Sequence, residues 1–414
     1  MSSSLKNTIS SVFSNRNVLA LSLSYSIWAG CSSGWRPYWS LYLKNNLGAS
    51  ITVVGMLSMI QLLPQILFQL PGGILADKYG RKKVIIYGSI PRLVVPVIYL
   101  LAPNWIYVIP ALLIESVRSS YKAAQNAMLA DSLPQEQRGA AYGAYKMITS
   151  LPGIFMPVFG GIVMDALGYK EGIRVFLIAQ FLVIILSIII KVMFLTETLG
   201  KEHKRRSIQM KITDSFNVPK TIWFMILVSM LSGFATMMVM PFVNIYAIEI
   251  IGLTNTQLGF VQTSMSLLST IFVMPGAMLS DHFGRKPMIL ISDAIKPFAL
   301  WGITLARSFP HYFLIQFINT IGTCFGGEGG GFEAVGGPAW EAMIADTIPR
   351  EKRATVKGLI GTIAGIIRSP SSWVGGYIWQ NYIPQFPFQV SLVLGLIAVC
   401  IFTLFVKEPK KKED

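Results

Sequence analysis

Apolar runs of about twenty residues recur along the whole chain, separated by short polar gaps. Each run can cross a hydrocarbon core of roughly 30 Å as a helix. Lipid offers no hydrogen-bond partners, so a spanning segment is either a helix or part of a closed barrel. Barrel strands would alternate polar and apolar over about ten residues, whereas these runs are continuous. The pattern predicts twelve transmembrane helices at about 18–43, 50–72, 83–102, 105–130, 139–164, 173–195, 219–247, 255–278, 287–308, 310–345, 353–380 and 386–406. The fold class is an all-α membrane protein of two pseudo-symmetric six-helix bundles. The first is expected at 1–195 and the second at 221–414, with a polar, basic cytoplasmic linker at 196–220 between them.

The two halves repeat. A shift of 204 positions carries Pro37 to Pro241, Tyr42 to Tyr246, Gly55 to Gly259, Pro71 to Pro275, Asp77 to Asp281, and Gly80-Arg81-Lys82 to Gly284-Arg285-Lys286. Further along the shift is 215: Asp131 to Asp346, Pro134 to Pro349, Arg138 to Arg353 and Gly143 to Gly358. A duplicated half is the economical account. The change of shift implies about eleven extra residues within the tenth span. The glycine-rich run Gly326-Gly327-Glu328-Gly329-Gly330-Gly331 is a candidate for part of them. Since each glycine weakens a helix by about 1 kcal/mol relative to alanine, the tenth span is expected to be broken or unusually pliable.

Composition agrees with the spans. The chain has 414 residues, 53% hydrophobic and 13% charged, about half the charge usual in soluble domains. Its formal net charge of +15 would suit a nucleic-acid partner, but the basic residues gather in every second gap. They are Lys78 to Lys83, Lys201 to Arg206, Arg285 with Lys286, Arg350 to Arg353, and Lys407 to Lys412. That is the positive-inside pattern; it excludes nucleic acid and puts both termini in the cytoplasm of a multi-pass protein of the cell membrane. Met1 to Asn17 is short and polar without a cleavable signal, so the first span is expected to direct insertion. Cys31, Cys324 and Cys400 fall inside spans without metal or redox spacing and read as small buried hydrophobes.

After the second span comes Gly73-Ile74-Leu75-Ala76-Asp77-Lys78-Tyr79-Gly80-Arg81-Lys82-Lys83. This run resembles the signature loop of the major facilitator superfamily, G-x-L-x-D-R-x-G-R-K, with Lys78 for the first arginine. A second copy follows the eighth span as Leu279, Asp281, Gly284, Arg285 and Lys286, with Ala277 where a glycine is usual. The resemblance covers essentially the whole chain. It implies a cytoplasmic gate that latches the outward-open state, built here from Asp77, Arg81, Asp131 and Arg138, and from Asp281, Arg285, Asp346 and Arg353. Glycines at 80 and 284 let the backbone turn tightly. The fifth span carries Pro157, Gly160 and Gly161, part of the antiporter signature G-x-x-x-G-P-x-x-G-G, but Pro152 and Met156 replace its first two glycines. Gly375 and Gly376 echo the final pair. The same residues also suit close helix packing.

Ionisable groups within a span are costly unless they face a cavity or a partner. Glu115, Arg118, Ser119, Lys122 and Asn126 share one stripe of the fourth span. The resemblance implies that spans 1, 4, 7 and 10 line a central cavity. The 215 shift pairs Arg118 with Glu333, each thirteen positions before its loop aspartate and so about 20 Å up an ideal helix. Arg36 on the first span, Arg368 on the eleventh and Asn126 complete the expected substrate cavity: Arg36, Glu115, Arg118, Lys122, Asn126, Glu333 and Arg368. In this reading Arg118 and Arg368 contact an anionic or polar substrate group, and Glu115 or Glu333 binds the coupling proton. Arg92, with its counterpart Lys296 and the adjacent Asp293, reads as structural.

The expected protein is therefore a monomeric secondary transporter of a small organic solute, a proton-coupled exporter in first place. A symporter for a sugar or carboxylate, a uniporter and a non-transporting membrane sensor are the alternatives. No nucleophile–base constellation, metal cluster or phosphate-binding loop marks an enzyme, and no cofactor is implied; His203, His282 and His311 are scattered.

Overall fold

A computed structural model describes residues 14–133, 138–199, 219–327, 337–348 and 353–408. Among them there are helices and turns but no strand. Seven helical stretches are long and apolar enough to cross a membrane by length and composition. One of these, Tyr145–Phe194, holds two expected spans, because the Arg138–Phe194 helix breaks at Gly168, where φ is +72°. The remaining spans are interrupted by the features that make them functional candidates. The fourth is divided into Val108–Ser116 and Arg118–Ser132, and the eleventh stops at Arg368 before resuming at Ser371–Asn381. The first runs as Arg16–Trp35, a 3₁₀ turn Arg36–Tyr38 and Trp39–Asn45. Pro37 in that turn cannot donate to the preceding helical turn, and Pro241 does the same in Met240–Phe242 of the seventh span.

The chain divides into two compact units. The first takes in Met1–Gly48, Pro64–Ile208 and Thr254–Thr263; the second takes in Ala49–Leu63, Gln209–Leu253 and Ser264–Asp414. Each unit thus includes the opening turns of a helix whose remainder belongs to the other. The sequence repeat reappears in the packing of each. In the first unit Val18, Leu21, Ile85, Ala124, Met128, Leu129 and Leu133 form a buried core. Their counterparts under the two shifts, Ile222, Met225, Ile289, Ala339, Met343, Ile344 and Ile348, form the core of the second. The large exposed side chains, such as Leu101, Met274 and Leu404, suit contact with lipid.

Backbone-to-backbone contacts explain the paired glycines. In the first unit a Cβ at Gly160 would fall on the Gly34 carbonyl, one at Gly161 on the Asn255 carbonyl, and one at Gly259 on the Pro157 carbonyl. In the second, Gly375 meets the Met238 carbonyl, Gly376 that of Ile51, and Gly55 that of Ser372. Every contact in one set is the shifted image of one in the other. Tyr38 seals the first set by donating to the Pro157 and Asn255 carbonyls at 2.8 and 3.1 Å. Phe242, its counterpart, fills the same place without a hydroxyl. Helix starts are matched too. Asp165 accepts from the amides of Asn255 (3.1 Å) and Thr256 (2.8 Å), and Gln380 accepts from the amide of Thr52 (3.1 Å).

The tenth span breaks as its glycines suggest. The helix ends at Cys324, Gly326 takes φ +95°, and the helix resumes at Pro338–Thr347. The Gly337 amide donates to the Gly327 carbonyl (2.8 Å), and the Trp340 amide to that of Gly326 (3.0 Å). The 204 shift maps Gly326 to Lys122, and the 215 shift maps Pro338 to Ala123, so the inserted segment is 327–337. Glu333 falls inside it, outside the described residues, and is not the counterpart of Arg118; that position is Gly322. One cysteine also departs from expectation: Cys324 is buried and Cys31 partly so, but Cys400 is exposed on the twelfth span.

A methyl group at Gly160 or Gly375 has nowhere to go, so Gly160→Ala and Gly375→Ala should each lower stability by about 1–3 kcal/mol. Gly358, on a helix with open space around it, should tolerate alanine or gain up to about 1 kcal/mol. Thermal midpoints of the purified variants, followed by monodispersity on heating, check the contrast.

Candidate functional site

In the first unit, Trp28 of the first span collects three guanidinium groups. Those of Arg118, Arg92 and Arg36 lie 4.1, 5.1 and 5.5 Å from its ring centroid. Indole is the strongest aromatic partner for a cation, and the attraction grows where water is scarce. Arg36 also pairs with Glu115 at 3.2 Å, with 43% of the arginine side chain and 13% of the glutamate side chain exposed. The second oxygen of Glu115 accepts from the Tyr99 hydroxyl at 3.5 Å. Arg92 is buried and donates to the Tyr121 hydroxyl at 2.9 Å. Lys191 of the sixth span, 4% exposed, donates to Ser89 at 3.2 Å and lies 5.7 Å from the centroid of Tyr121.

Two pockets flank Trp28 and Arg92. One is lined by Trp35, Tyr99, Glu115 and Gln180 besides those two residues. The other is lined by Tyr25, Arg118, Tyr121, Gln125 and Lys191 with them. The turn at Val117, which divides the fourth span, puts Glu115 on one pocket and Arg118 on the other. The expected single polar stripe is thus divided between two helical segments. Lys122 and Asn126 line neither pocket, and Gln125 takes the place expected for Asn126. Trp35 is buried and donates from its indole to Gln180 at 3.4 Å.

Arg368 belongs to the second unit, buried against Gly233 of the seventh span. Asp293 and Lys296 are buried in the ninth span, and Asp293 abuts Gly327 at the start of the inserted segment. Both placements suit the packing role read for the ninth span.

At the loop ends the two signature copies adopt one geometry. Gly80 and Gly284 have φ of +97° and +100°, where glycine is favoured. Arg81 pairs with Asp131 and donates to the Ala127 carbonyl at 3.0 Å. Arg285 pairs with Asp281 and, at 3.4 Å, with Asp346. The side chains of Asp77, Arg138 and Arg353 lie outside the described residues. Sequence reading missed two carboxylates here. Glu197 accepts from the amides of Arg81 and Lys82 at 3.0 and 3.1 Å, and Glu408 from those of Arg285 and Lys286 at 2.7 Å each. Each glutamate closes the positive end of a helix that would otherwise leave amides unpaired. A Glu placed just after the sixth and twelfth spans was the available signal.

A family model described as Major Facilitator Superfamily matches residues 21–227 and 225–414. Among curated relatives, the multi-drug resistance efflux pump PmrA of Streptococcus pneumoniae is 24% identical over 266 residues, covering 62% of this chain and 65% of that pump. The quinolone resistance protein NorA of Staphylococcus aureus is 25% identical over 176 residues, 42% of each chain. The match thus spans less than two thirds of either pump. Among solved structures, the D-xylose-proton symporter superposes with a TM-score of 0.74 at 15% identity, over 97% of this chain and 99% of that one. The nucleoside transporter NupG superposes with 0.73 at 14% identity, over 94% and 100%. These likenesses are of fold.

Glu197→Ala and Glu408→Ala each remove a cap of two backbone amides, and each should cost roughly 1–2 kcal/mol. Thermal midpoints of the single and double variants test this, and the two losses should add because the caps belong to separate units.

Proposed function

The chain belongs to the Major Facilitator Superfamily, and from that premise we propose that it is a secondary active transporter exporting a small organic solute across the cell membrane in exchange for protons. The solute is bound at the Trp28 cluster, with Arg118 as a contact for a polar or anionic group. Transport proceeds by alternating access, the halves presenting one site to each side in turn. Both termini face the cytoplasm in this reading. The pairs Arg81–Asp131 and Arg285–Asp346 then belong to the cytoplasmic gate.

One observation carries the coupling: Glu115 is a partly buried carboxylate held between Arg36 and Tyr99 on the wall of a pocket. Protonation would cancel its attraction for Arg36, and loss of the proton would restore it. A switch of this kind needs a titratable group whose two charge states favour different arrangements. Glu333, the other expected carrier, lies outside the described residues. Export is favoured over uptake by the printed names of the efflux-pump relatives and by the partial antiporter signature at Pro157, Gly160 and Gly161.

Proteoliposomes with an imposed pH gradient and a panel of labelled solutes test the proposal. Glu115→Gln should lose gradient-driven accumulation by about tenfold or more, the size expected when a group that acts in one state is removed. Solute counterflow without a gradient should survive. Gradient-driven transport at the wild-type rate in Glu115→Gln would remove the proton role, and accumulation in the opposite direction would make the protein a symporter.

A further inference from the structure

The second pocket beside Trp28 carries positive charge that nothing described around it answers. Its cations come from three spans: Arg92 from the third, Arg118 from the fourth and Lys191 from the sixth. Arg92 meets a tyrosine hydroxyl, Lys191 a serine hydroxyl and a tyrosine ring, and Arg118 the face of Trp28. These partners are neutral. The ion pairs found among the described residues include none of the three. Glu115, the acid of this region, lines the other pocket and is engaged by Arg36. Arg92 is 9% exposed and Lys191 is 4% exposed, so bulk water does little for either. Buried charge without a counter-charge costs several kcal/mol, and inside a membrane such groups persist where they serve a ligand or an ion path.

We propose that this pocket is an oxyanion site, and that the transported solute is an organic anion whose carboxylate, sulfonate or phosphate binds Arg92, Arg118 and Lys191. The substrate class rests on the transporter reading above; the anion site does not. Three cations supply more donors than their neutral neighbours can accept, and two guanidinium forks suit the planar geometry of a carboxylate or the faces of a phosphate. Tyr25 and Trp28, with ring centroids 5.7 Å apart, offer a wall to an apolar body attached to the anion. Sequence alone gives Arg92 a structural reading and leaves Lys191 unmarked within an apolar run. Together they turn a contact for a polar group into a site selective for negative charge.

The test is binding by the full-length protein in nanodiscs of zwitterionic lipid, at fixed ionic strength in chloride. Benzoate, benzenesulfonate and inorganic phosphate are the probes, and benzamide is the neutral match for benzoate. Benzoate, benzenesulfonate and phosphate should each raise the thermal midpoint saturably, and benzamide should not. Lys191→Gln and Arg92→Gln should weaken benzoate by tenfold or more, as expected when one partner of a buried charge contact is removed. Lys191→Arg, which keeps the charge, should stay within about threefold of wild type. Arg174→Gln, at an exposed pair with Glu171, should leave binding unchanged. If Lys191→Gln does not fold, Arg118→Gln takes its place. Equal stabilisation by benzamide, wild-type affinity in the Gln variants, or an effect seen only when phosphatidylglycerol is added would each overturn the site, the last by assigning it to lipid. Benzoate binding without benzoate transport would sink the substrate class while leaving the anion site intact. Export of uncharged solutes with no oxyanion binding would sink both the site and the substrate class and leave only the transporter reading.

Discussion

Four cations and one carboxylate gather at the pockets flanking Trp28 in the first unit, three of the cations over its ring, and the rest of the site is arranged by what that excess charge requires. Hydrocarbon cannot solvate a guanidinium or an ammonium, so each must find a partner or water. Glu115 answers Arg36, and Trp28 offers its ring to Arg36, Arg92 and Arg118. Tyr121 and Ser89 take hydrogen bonds from Arg92 and Lys191. These contacts orient the cations without neutralising them. The turn at Val117 lets one helix serve both pockets, with its acid on one side and its base on the other.

The scaffold that holds this arrangement is built on close backbone contacts. Paired glycines let helices touch carbonyl to Cα, and each contact in one unit has its image in the other. Helix starts are closed by side chains from distant positions: Asp165 and Gln380 on one set, Glu197 and Glu408 on the other. The duplication is therefore conserved in mechanics where it has diverged in chemistry. The Trp28–Arg118 cluster has no equivalent in the second unit, where the counterparts are Ser232 and Gly322. Arg368 there rests against Gly233.

Much of this was legible in the chain because lipid imposes simple rules. Twenty-residue apolar runs, alternating basic gaps and a doubled loop motif led to the helical class and the family. The φ values of Gly80 and Gly284 follow from the motif as expected. What escaped was whatever depends on distance between spans. The repeat changes shift inside the tenth span, so Arg118 aligns with Gly322 and not with Glu333; only the meeting of Gly327 with Gly337 shows where the extra residues enter. Lys191 carried the same signal as Arg118, a charge inside a span, but had no polar neighbours in sequence to mark it. Glu197 and Glu408 looked like ordinary loop acids, since capping is visible only once the amide ends of other helices are placed.

The account turns on the cationic pocket of the first unit being reachable from water, since a solute must come to its buried charges from there. Cysteine accessibility measures this directly, in a background lacking Cys31, Cys324 and Cys400. Ser24→Cys and Gln125→Cys, both on the wall of the cationic pocket, should react with a charged, membrane-impermeant thiol reagent, while Leu404→Cys on an exposed apolar face should not. Failure of both pocket positions to react, in protein shown to be folded, would contradict the account by showing that no wet chamber reaches the charges.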